Sequence, residues 1–143
     1  MVVMPSELKM LTFSVVVLLV LILIQAVAGV VAQGFTRMAG NRDSLPPPSV
    51  FQARMRRVVD NHREGLILFA PLVFILTFNG ITAFPMTVLG AQMFFYSRVV
   101  HAVTYVFGVP YIRTLAWLVG IAGTFMLLVP LLGIYFGQGA SAL

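Results

Sequence analysis

The sequence predicts an all-α integral membrane protein, and two observations carry that prediction. Of its 143 residues 60% are hydrophobic and 9% are charged, whereas an ordinary soluble domain is about 25% charged. Long uncharged runs also occur, and a spanning helix needs about 20 apolar residues. Because so few charges cannot cover a water-exposed surface, we expect one small membrane-embedded domain over residues 1–143.

Turn signals divide the apolar sequence into four spans. Asn79-Gly80 and Phe84-Pro85 separate the second span from the third. Gly108-Val109-Pro110 separates the third span from the fourth. The predicted spans cover about residues 11–33, 62–79, 85–107 and 114–136. The loop after the first span covers about residues 34–61.

The first apolar run has a second interpretation, as a cleavable signal peptide. Ala26-Val27-Ala28 fits a small-x-small cleavage site. However, the run is long, and the cation that precedes it, Lys9, is balanced by Glu7. We therefore interpret this run as a membrane span.

The distribution of cations predicts the topology. Six of the nine Lys and Arg residues lie between the first two apolar runs, and the turn around Gly80 has none. Cytoplasmic loops carry an excess of Lys and Arg. We therefore expect a multi-pass protein with the first and third loops in the cytoplasm. The six residues are Arg37, Arg42, Arg54, Arg56, Arg57 and Arg63.

The second span is predicted to continue a helix that begins outside the bilayer. Pro46-Pro47-Pro48 is a stiff stop, and Ser49 can cap a helix that starts near Val50. On that helix Arg57, Asn61 and Glu64 have the spacing i, i+4, i+7 and share one face.

A second polar stripe is predicted in the third span, where Arg98, His101 and Tyr105 have the spacing i, i+3, i+7. A charge at the centre of a spanning helix costs about 2.5 to 3.5 kcal/mol, so Arg98 needs a partner. Glu64 is the partner that we expect. Arg113 precedes the last span at the same end and completes a pocket.

The chemistry of this pocket suits a ligand with two anionic groups and an amine. Arginine binds carboxylates through two hydrogen bonds, and a neighbouring cation stabilises a thiolate. Glutathione meets these requirements, but an anionic lipid headgroup meets many of them as well. The chain has no cysteine, so a reactive thiol would have to arrive on a ligand. We predict no metal site and no nucleic-acid partner.

The two spaced motifs, together with the four-span layout, resemble the MAPEG family, the membrane-associated proteins of eicosanoid and glutathione metabolism. The resemblance covers about residues 10–136. The residues that carry it are Arg57, Asn61, Glu64, Arg98, His101, Tyr105 and Arg113.

The resemblance implies a left-handed four-helix bundle that assembles as a homotrimer, in the bacterial inner membrane if the chain is a bacterial-type member. It implies a glutathione bound between neighbouring subunits near the cytoplasmic face. Arg113 then resembles the catalytic arginine that stabilises the glutathione thiolate. The implied contacts of glutathione are Arg57, Asn61, Glu64, Arg98, His101 and Tyr105.

The implied activity is that of a glutathione-dependent transferase, peroxidase or isomerase acting on a lipophilic electrophile. Several positions depart from relatives or have no fixed role, and they leave the second substrate open. Gly65 replaces a tyrosine of the leukotriene C synthase branch, and Thr114 replaces a serine of the prostaglandin E synthase branch. Arg37 and Asp43 have no assigned role.

A non-catalytic interpretation stands beside the enzymatic one. The basic pocket could bind anionic membrane lipid or stabilise an oligomer. Arg98 and Glu64 could form a structural pair between helices, and His101 could link helices as a buried polar group. Tyr105 could belong to the interfacial aromatic belt, and Arg113 could mark the cytoplasmic end.

Overall fold

The structure, a computed structural model, describes residues 4–41 and 45–140, with side chains up to residue 137. Within these ranges the fold is all-α, as predicted, and contains no strand. Arg42 and Asp43 of the first loop lie outside the described residues. The helices are α1 (Ser6–Gln33), α2 (Phe35–Ala39), α3 (Val50–Phe78), α4 (Pro85–Phe107) and α5 (Pro110–Ala140).

The structure has five helices in the described ranges, where the sequence predicted four. The additional one, α2, is a single short turn in the first loop. It is separate because Gly34, with φ of 86°, ends α1. A positive φ is readily adopted by glycine, so the chain changes direction there before it coils again.

The start of α3 confirms the capping prediction. Ser49 Oγ accepts a hydrogen bond of 3.2 Å from the Gln52 backbone N–H, and Gln52 Oε1 accepts one of 2.8 Å from the Ser49 N–H. This reciprocal pair is a capping box, which satisfies two N–H groups that have no partner in the helix. From there α3 continues without interruption to Phe78, past Pro71.

The central helices are α3 and α4, which pack against each other and against both α1 and α5. The backbones of α1 and α5 do not approach each other within the described ranges, so these two helices lie on opposite sides of the central pair. At the centre, the rings of Phe69 and Phe94 stack with centroids 3.9 Å apart.

A polar layer separates two apolar clusters along the bundle. Ser14, His62, Arg98 and His101 are buried polar side chains whose positions in α1, α3 and α4 fall between those clusters. The first cluster contains Leu11, Leu66, Phe69, Val73, Leu76, Ala91, Phe94 and Leu127. The second cluster contains Leu21, Met55, Val58, Val59 and Ala102.

Within the part of the chain that the structure describes, two helices are long and apolar enough to cross a membrane. They are α1 and the part of α5 from Pro110 to Gly137. Much of the surface of α1 consists of exposed valine, leucine and isoleucine side chains, such as Val16, Leu19 and Leu23, which suits contact with lipid. That α3 and α4 also cross the membrane stays a prediction.

At the end of the bundle away from Arg113, a buried carboxylate joins α1 to the start of α4. Glu7 is fully buried, and its Oε1 accepts hydrogen bonds from the Ala83 N–H (2.9 Å) and the Thr87 hydroxyl (2.5 Å). The sequence interpretation treated Glu7 only as the charge that balances Lys9. Its burial shows that it also has a structural contact, because buried charges are normally hydrogen-bonded.

Candidate functional site

Arg98 is the centre of the candidate site. Its side chain is only 2% exposed, and its Nη1 donates a hydrogen bond of 2.7 Å to Asn61 Oδ1 of α3. Its Nε is buried and has no hydrogen-bond partner among the described residues. The face of the Phe94 ring lies 5.3 Å from the guanidinium carbon, within the range of a cation–π contact.

Two glycines make room for this guanidinium. A Cβ atom at Gly65 of α3 would lie 3.3 Å from the guanidinium carbon of Arg98. A Cβ atom at Gly120 of α5 would lie only 2.7 Å from Arg98 Nη2 and 2.6 Å from Ser97 Oγ. Arg98 therefore fills a narrow slot between α3 and α5, and a side chain at Gly120 would require it to move.

The predicted pairing of Arg98 with Glu64 is wrong. Glu64 is exposed, and the ion pairs within residues 4–41 and 45–140 are formed by Asp60, with Arg63 at 2.8 Å and Arg56 at 4.0 Å. The reason lies in the helical geometry: Asn61 is one turn before Gly65, so it faces the slot, whereas Glu64 is turned away from it. An amide thus takes the place of the predicted carboxylate.

Arg57 and Glu64 are both exposed on α3, and Asn61 is half-buried beside them. The buried residues of α3 include Met55, Val58 and His62, which lie on the opposite side of the helix. The predicted face of Arg57, Asn61 and Glu64 is therefore available to groups outside this chain, although only Asn61 contacts Arg98.

The remaining predicted residues form a second group near the end of α4. The rings of His101 and Tyr105 lie with centroids 5.6 Å apart, and His101 is 5% exposed. The guanidinium carbon of Arg113 lies 4.5 Å from the centroid of the Tyr105 ring. This contact brings the first turn of α5 to the stripe on α4, and a common pocket with Arg57, Asn61 and Glu64 stays a prediction.

Arg54 has a contact that the sequence did not indicate. Its Nη1 donates a hydrogen bond of 3.1 Å to the carbonyl oxygen of Val106, in the last turn of α4. We had interpreted Arg54 as one more cation of the cytoplasmic loop. Its position among the arginines of α3 gave no signal of this contact, because the contact depends on where α4 ends.

His62 is buried, although it lies in the chain between the exposed residues Arg57 and Glu64 of α3. Its Nε2 lies 2.9 Å from the carbonyl oxygen of Ser14 in α1, and its Nδ1 is buried without a hydrogen-bond partner among the described residues. Since a carbonyl can only accept, Nε2 carries the proton. The sequence could have shown this, because Val59, His62 and Leu66 have helical spacing on one apolar stripe.

Several residues without an assigned role lie at the edge of this region. Thr114 is exposed, and its hydroxyl donates a hydrogen bond of 3.1 Å to the Pro110 carbonyl. Arg37 is exposed on α2. Gly65, in contrast, has a definite function in the fold, because it faces Arg98.

An open apolar cavity of about 490 Å³ lies between α4 and α5. Its lining includes Tyr96, Ser97 and Ile112, and Ser97 and Ile112 are the chain neighbours of Arg98 and Arg113. Small-molecule sites commonly have volumes of about 300 to 1,000 Å³, so a lipophilic molecule of modest size would fit.

These features define a class: an all-α protein with an apolar exterior, a buried arginine between its central helices, and a second arginine at the end of the bundle. A sequence model of the MAPEG family matches residues 10–133. The chain belongs to the MAPEG family, a family of membrane proteins associated with glutathione and eicosanoid metabolism. No curated protein matches the chain.

Proposed function

We propose that the protein is a glutathione-dependent membrane enzyme of the transferase, peroxidase or isomerase type. The observation that carries the proposal is the position of Arg113, whose guanidinium lies on the ring of Tyr105, and Tyr105 lies one helical turn from His101 along α4. An arginine held in this way presents its remaining N–H groups to an anion. Family membership supports glutathione as the source of that anion.

In the proposed reaction, the Arg113 guanidinium stabilises the thiolate of bound glutathione. The thiolate attacks an electrophilic carbon or a peroxide oxygen of the second substrate. The S–C or S–O bond forms as the bond from the attacked atom to the leaving atom, or the O–O bond, breaks, and the leaving atom keeps the electron pair and takes a proton from water. In an isomerisation, the carbon bonded to the attacked oxygen then loses a proton, its C–O bond becomes C=O, and the S–O bond breaks to return the thiolate. Electrostatic stabilisation of this kind needs no covalent contribution from the protein.

The exposed charges on α3 suit the remaining groups of glutathione. Arg57 would bind a carboxylate and Glu64 the amine, because the two lie on one face of α3 and are both exposed. Asn61, oriented by Arg98, would add an amide contact. In this scheme Arg98 and His101, both buried, would lie deeper in the bundle than Arg57 and Glu64, on the protein side of the ligand.

The second substrate is proposed to be lipophilic and to reach the site from the bilayer. The apolar cavity between α4 and α5 supports this, since its lining includes the neighbours of both Arg98 and Arg113. The residues exposed on α3 suit a homotrimer of four-helix bundles in which a neighbouring subunit covers the ligand. Chemical cross-linking of the detergent-solubilised protein would test the trimer.

The proposal is tested by ultraviolet difference absorbance of the thiolate when glutathione is added to purified protein. Wild type should give a saturable thiolate band, and Arg113→Ala should lose it. Arg63→Ala is the matched control, because Arg63 is exposed and pairs with Asp60; it should keep the band. A band of equal size in Arg113→Ala would rule out the assigned role of Arg113.

The absence of saturable binding at millimolar glutathione would instead favour a non-catalytic protein whose basic groups bind anionic lipid. Competition by anionic phospholipid for the same site would support that outcome. The proposed orientation, with the site in the cytoplasm, can be tested because the chain has no cysteine. Single cysteines introduced at the exposed positions Arg37 and Asn79 should be labelled from opposite sides of the membrane.

A further inference from the structure

The turn between α4 and α5 is contacted by the side chain of Arg54, which belongs to α3. Helix α4 ends at Phe107, and Gly108 adopts the left-handed conformation with φ of 77°. The Gly108 and Val109 N–H groups donate to the Tyr105 and Thr104 carbonyls (3.1 and 2.9 Å). The Val106 carbonyl receives the hydrogen bond of 3.1 Å from Arg54 Nη1.

The guanidinium of Arg54 also packs directly on Gly108. A Cβ atom at this glycine would lie 3.0 Å from Arg54 Nη2 and 3.2 Å from Nη1. Two independent features thus favour glycine here: the positive φ and the close approach of the Arg54 side chain. Arg54 contacts both the Val106 carbonyl in the last turn of α4 and the residue that turns the chain.

The charge of Arg54 suits this position. The last carbonyls of a helix lack partners within it and carry partial negative charge, so a cation there is favourable. Arginine is better suited than lysine, because its planar group can donate to Val106 and at the same time lie flat against Gly108.

The geometry of this turn determines where Arg113 lies. Only four residues separate Gly108 from Arg113, and the Arg113 N–H is at 3.4 Å from the Val109 carbonyl, in the first turn of α5. A change in the turn would therefore move Arg113 relative to Tyr105, whose ring is 4.5 Å from its guanidinium carbon.

We propose that Arg54 is a positioning residue: by holding the α4–α5 turn through Val106 and Gly108, it keeps Arg113 over Tyr105, ready to stabilise the bound thiolate. This inference rests on the proposed function for the last step. The first step, control of the turn, does not depend on any activity.

The test compares Arg54→Ala and Arg54→Lys with wild type by two measurements. The first is backbone hydrogen exchange of residues 108–113 without glutathione. In Arg54→Ala, exchange there should rise about tenfold or more, the effect expected from losing one charge-assisted hydrogen bond, while exchange in α1 stays unchanged. Arg54→Lys should show a smaller rise in exchange. If Arg54→Ala does not fold, Arg54→Lys provides the same test.

The second measurement is the thiolate band together with turnover. In Arg54→Ala, kcat and the band should fall with little change in KM, because glutathione still finds its α3 contacts. Arg56→Ala is the matched control: Arg56 is exposed and its Asp60 partner is 4.0 Å away. It should behave as wild type in both measurements.

The positioning role of Arg54 and the proposed glutathione-dependent function can be disproved separately. Unchanged exchange of residues 108–113 in both Arg54 variants would overturn the positioning proposal, even if glutathione binds. If wild type forms no thiolate, the proposed function fails, and increased exchange in the variants would still confirm that Arg54 holds the turn. Increased exchange with an unchanged thiolate band would overturn the link from the turn to Arg113.

Discussion

Arg98 Nη1 lies 2.7 Å from Asn61 Oδ1, so the buried guanidinium of α4 is bonded to a neutral amide of α3. An amide satisfies one N–H group, but no carboxylate within residues 4–41 and 45–137 forms an ion pair with this positive charge. A buried cation without a counter-charge favours the approach of an anion. The arrangement therefore maintains a positive potential at the polar layer of the bundle, while it fixes which way the Asn61 side chain points.

The contact predicts a specific effect of removing the Asn61 side chain. In Asn61→Ala, Arg98 loses the hydrogen-bond acceptor that it has within the described ranges, and its charge remains buried. Since a hydrogen bond to a charged group contributes about 1.5 to 3 kcal/mol, we expect a loss of stability of that size. Thermal unfolding in detergent would measure it.

Glu64→Ala serves as the control for Asn61→Ala. Glu64 lies three residues further along α3 and is exposed, so its removal should change the unfolding temperature little. If Glu64→Ala destabilised the protein as much as Asn61→Ala does, Arg98 would be paired with Glu64 after all, as the sequence had suggested.

Gly120→Ala should disturb the slot of Arg98 from the other side. The new Cβ would lie 2.7 Å from Arg98 Nη2 and 2.6 Å from Ser97 Oγ, so α5 or Arg98 must shift. Overpacking of this kind costs about 1 to 3 kcal/mol. The matched control is Gly133→Ala in the same helix, where a Cβ meets no atom within 4 Å.

Gly133→Ala should leave stability unchanged or raise it slightly, because alanine favours helix over glycine. Both variants can be compared by thermal unfolding and by the thiolate band with glutathione. Equal stability of the two variants would show that the slot between α3 and α5 is loose, and that Arg98 is not confined by Gly120.

The sequence predicted the helical framework because its signals are local. Each signal is set by a few neighbouring residues: the cap at Ser49, the break at Asn79-Gly80 and the break at Gly108-Val109-Pro110. Helices α3 to α5 begin or end at these positions. Helical spacing also placed His101 and Tyr105 on one stripe, and their rings lie with centroids 5.6 Å apart. The short helix α2 escaped prediction because its five residues carry no periodic pattern.

The contacts between helices were predicted less well, because spacing shows which residues share a face but not which face meets which. Arg98 was expected to pair with the carboxylate of Glu64, but the rotation of α3 presents Asn61 instead. The contact of Arg54 with the end of α4 likewise depends on the relative height of two helices. Neither the rotation of a helix about its axis nor its height relative to a neighbouring helix is encoded in the spacing of residues along one helix.

His62 should stabilise the packing of α1 on α3. Its Nε2–H donates a hydrogen bond of 2.9 Å to the Ser14 carbonyl, so His62→Phe removes a buried donor. We expect a loss of about 1 to 2 kcal/mol in thermal unfolding, and His62→Gln, which keeps a donor, should lose less. The half-exposed neighbour Asp60 provides the control Asp60→Asn. If His62→Phe were as stable as wild type, the hydrogen bond would make no net contribution.

The buried carboxylate of Glu7 predicts an effect at the opposite end of the bundle from Arg113. Glu7→Ala removes the acceptor of two donors, the Ala83 N–H and the Thr87 hydroxyl, but the hydroxyl can still donate to the Phe84 carbonyl at 3.0 Å. We expect a loss of about 1 to 3 kcal/mol, the cost of leaving the Ala83 N–H without its acceptor. Thr87→Val removes one of these donors and should cost less, and Lys9→Ala, at an exposed position, should cost little.

The location of the Glu7 effect can be measured as well as its size. Backbone hydrogen exchange in Glu7→Ala should rise around residues 81–88, where Ala83 and Thr87 lie, because the turn before α4 loses its link to α1. Exchange of residues 108–113 should stay at the wild-type level, and folded Glu7→Ala should still form the glutathione thiolate. A uniform rise along the whole chain would show instead that Glu7 supports global stability alone and does not hold this turn.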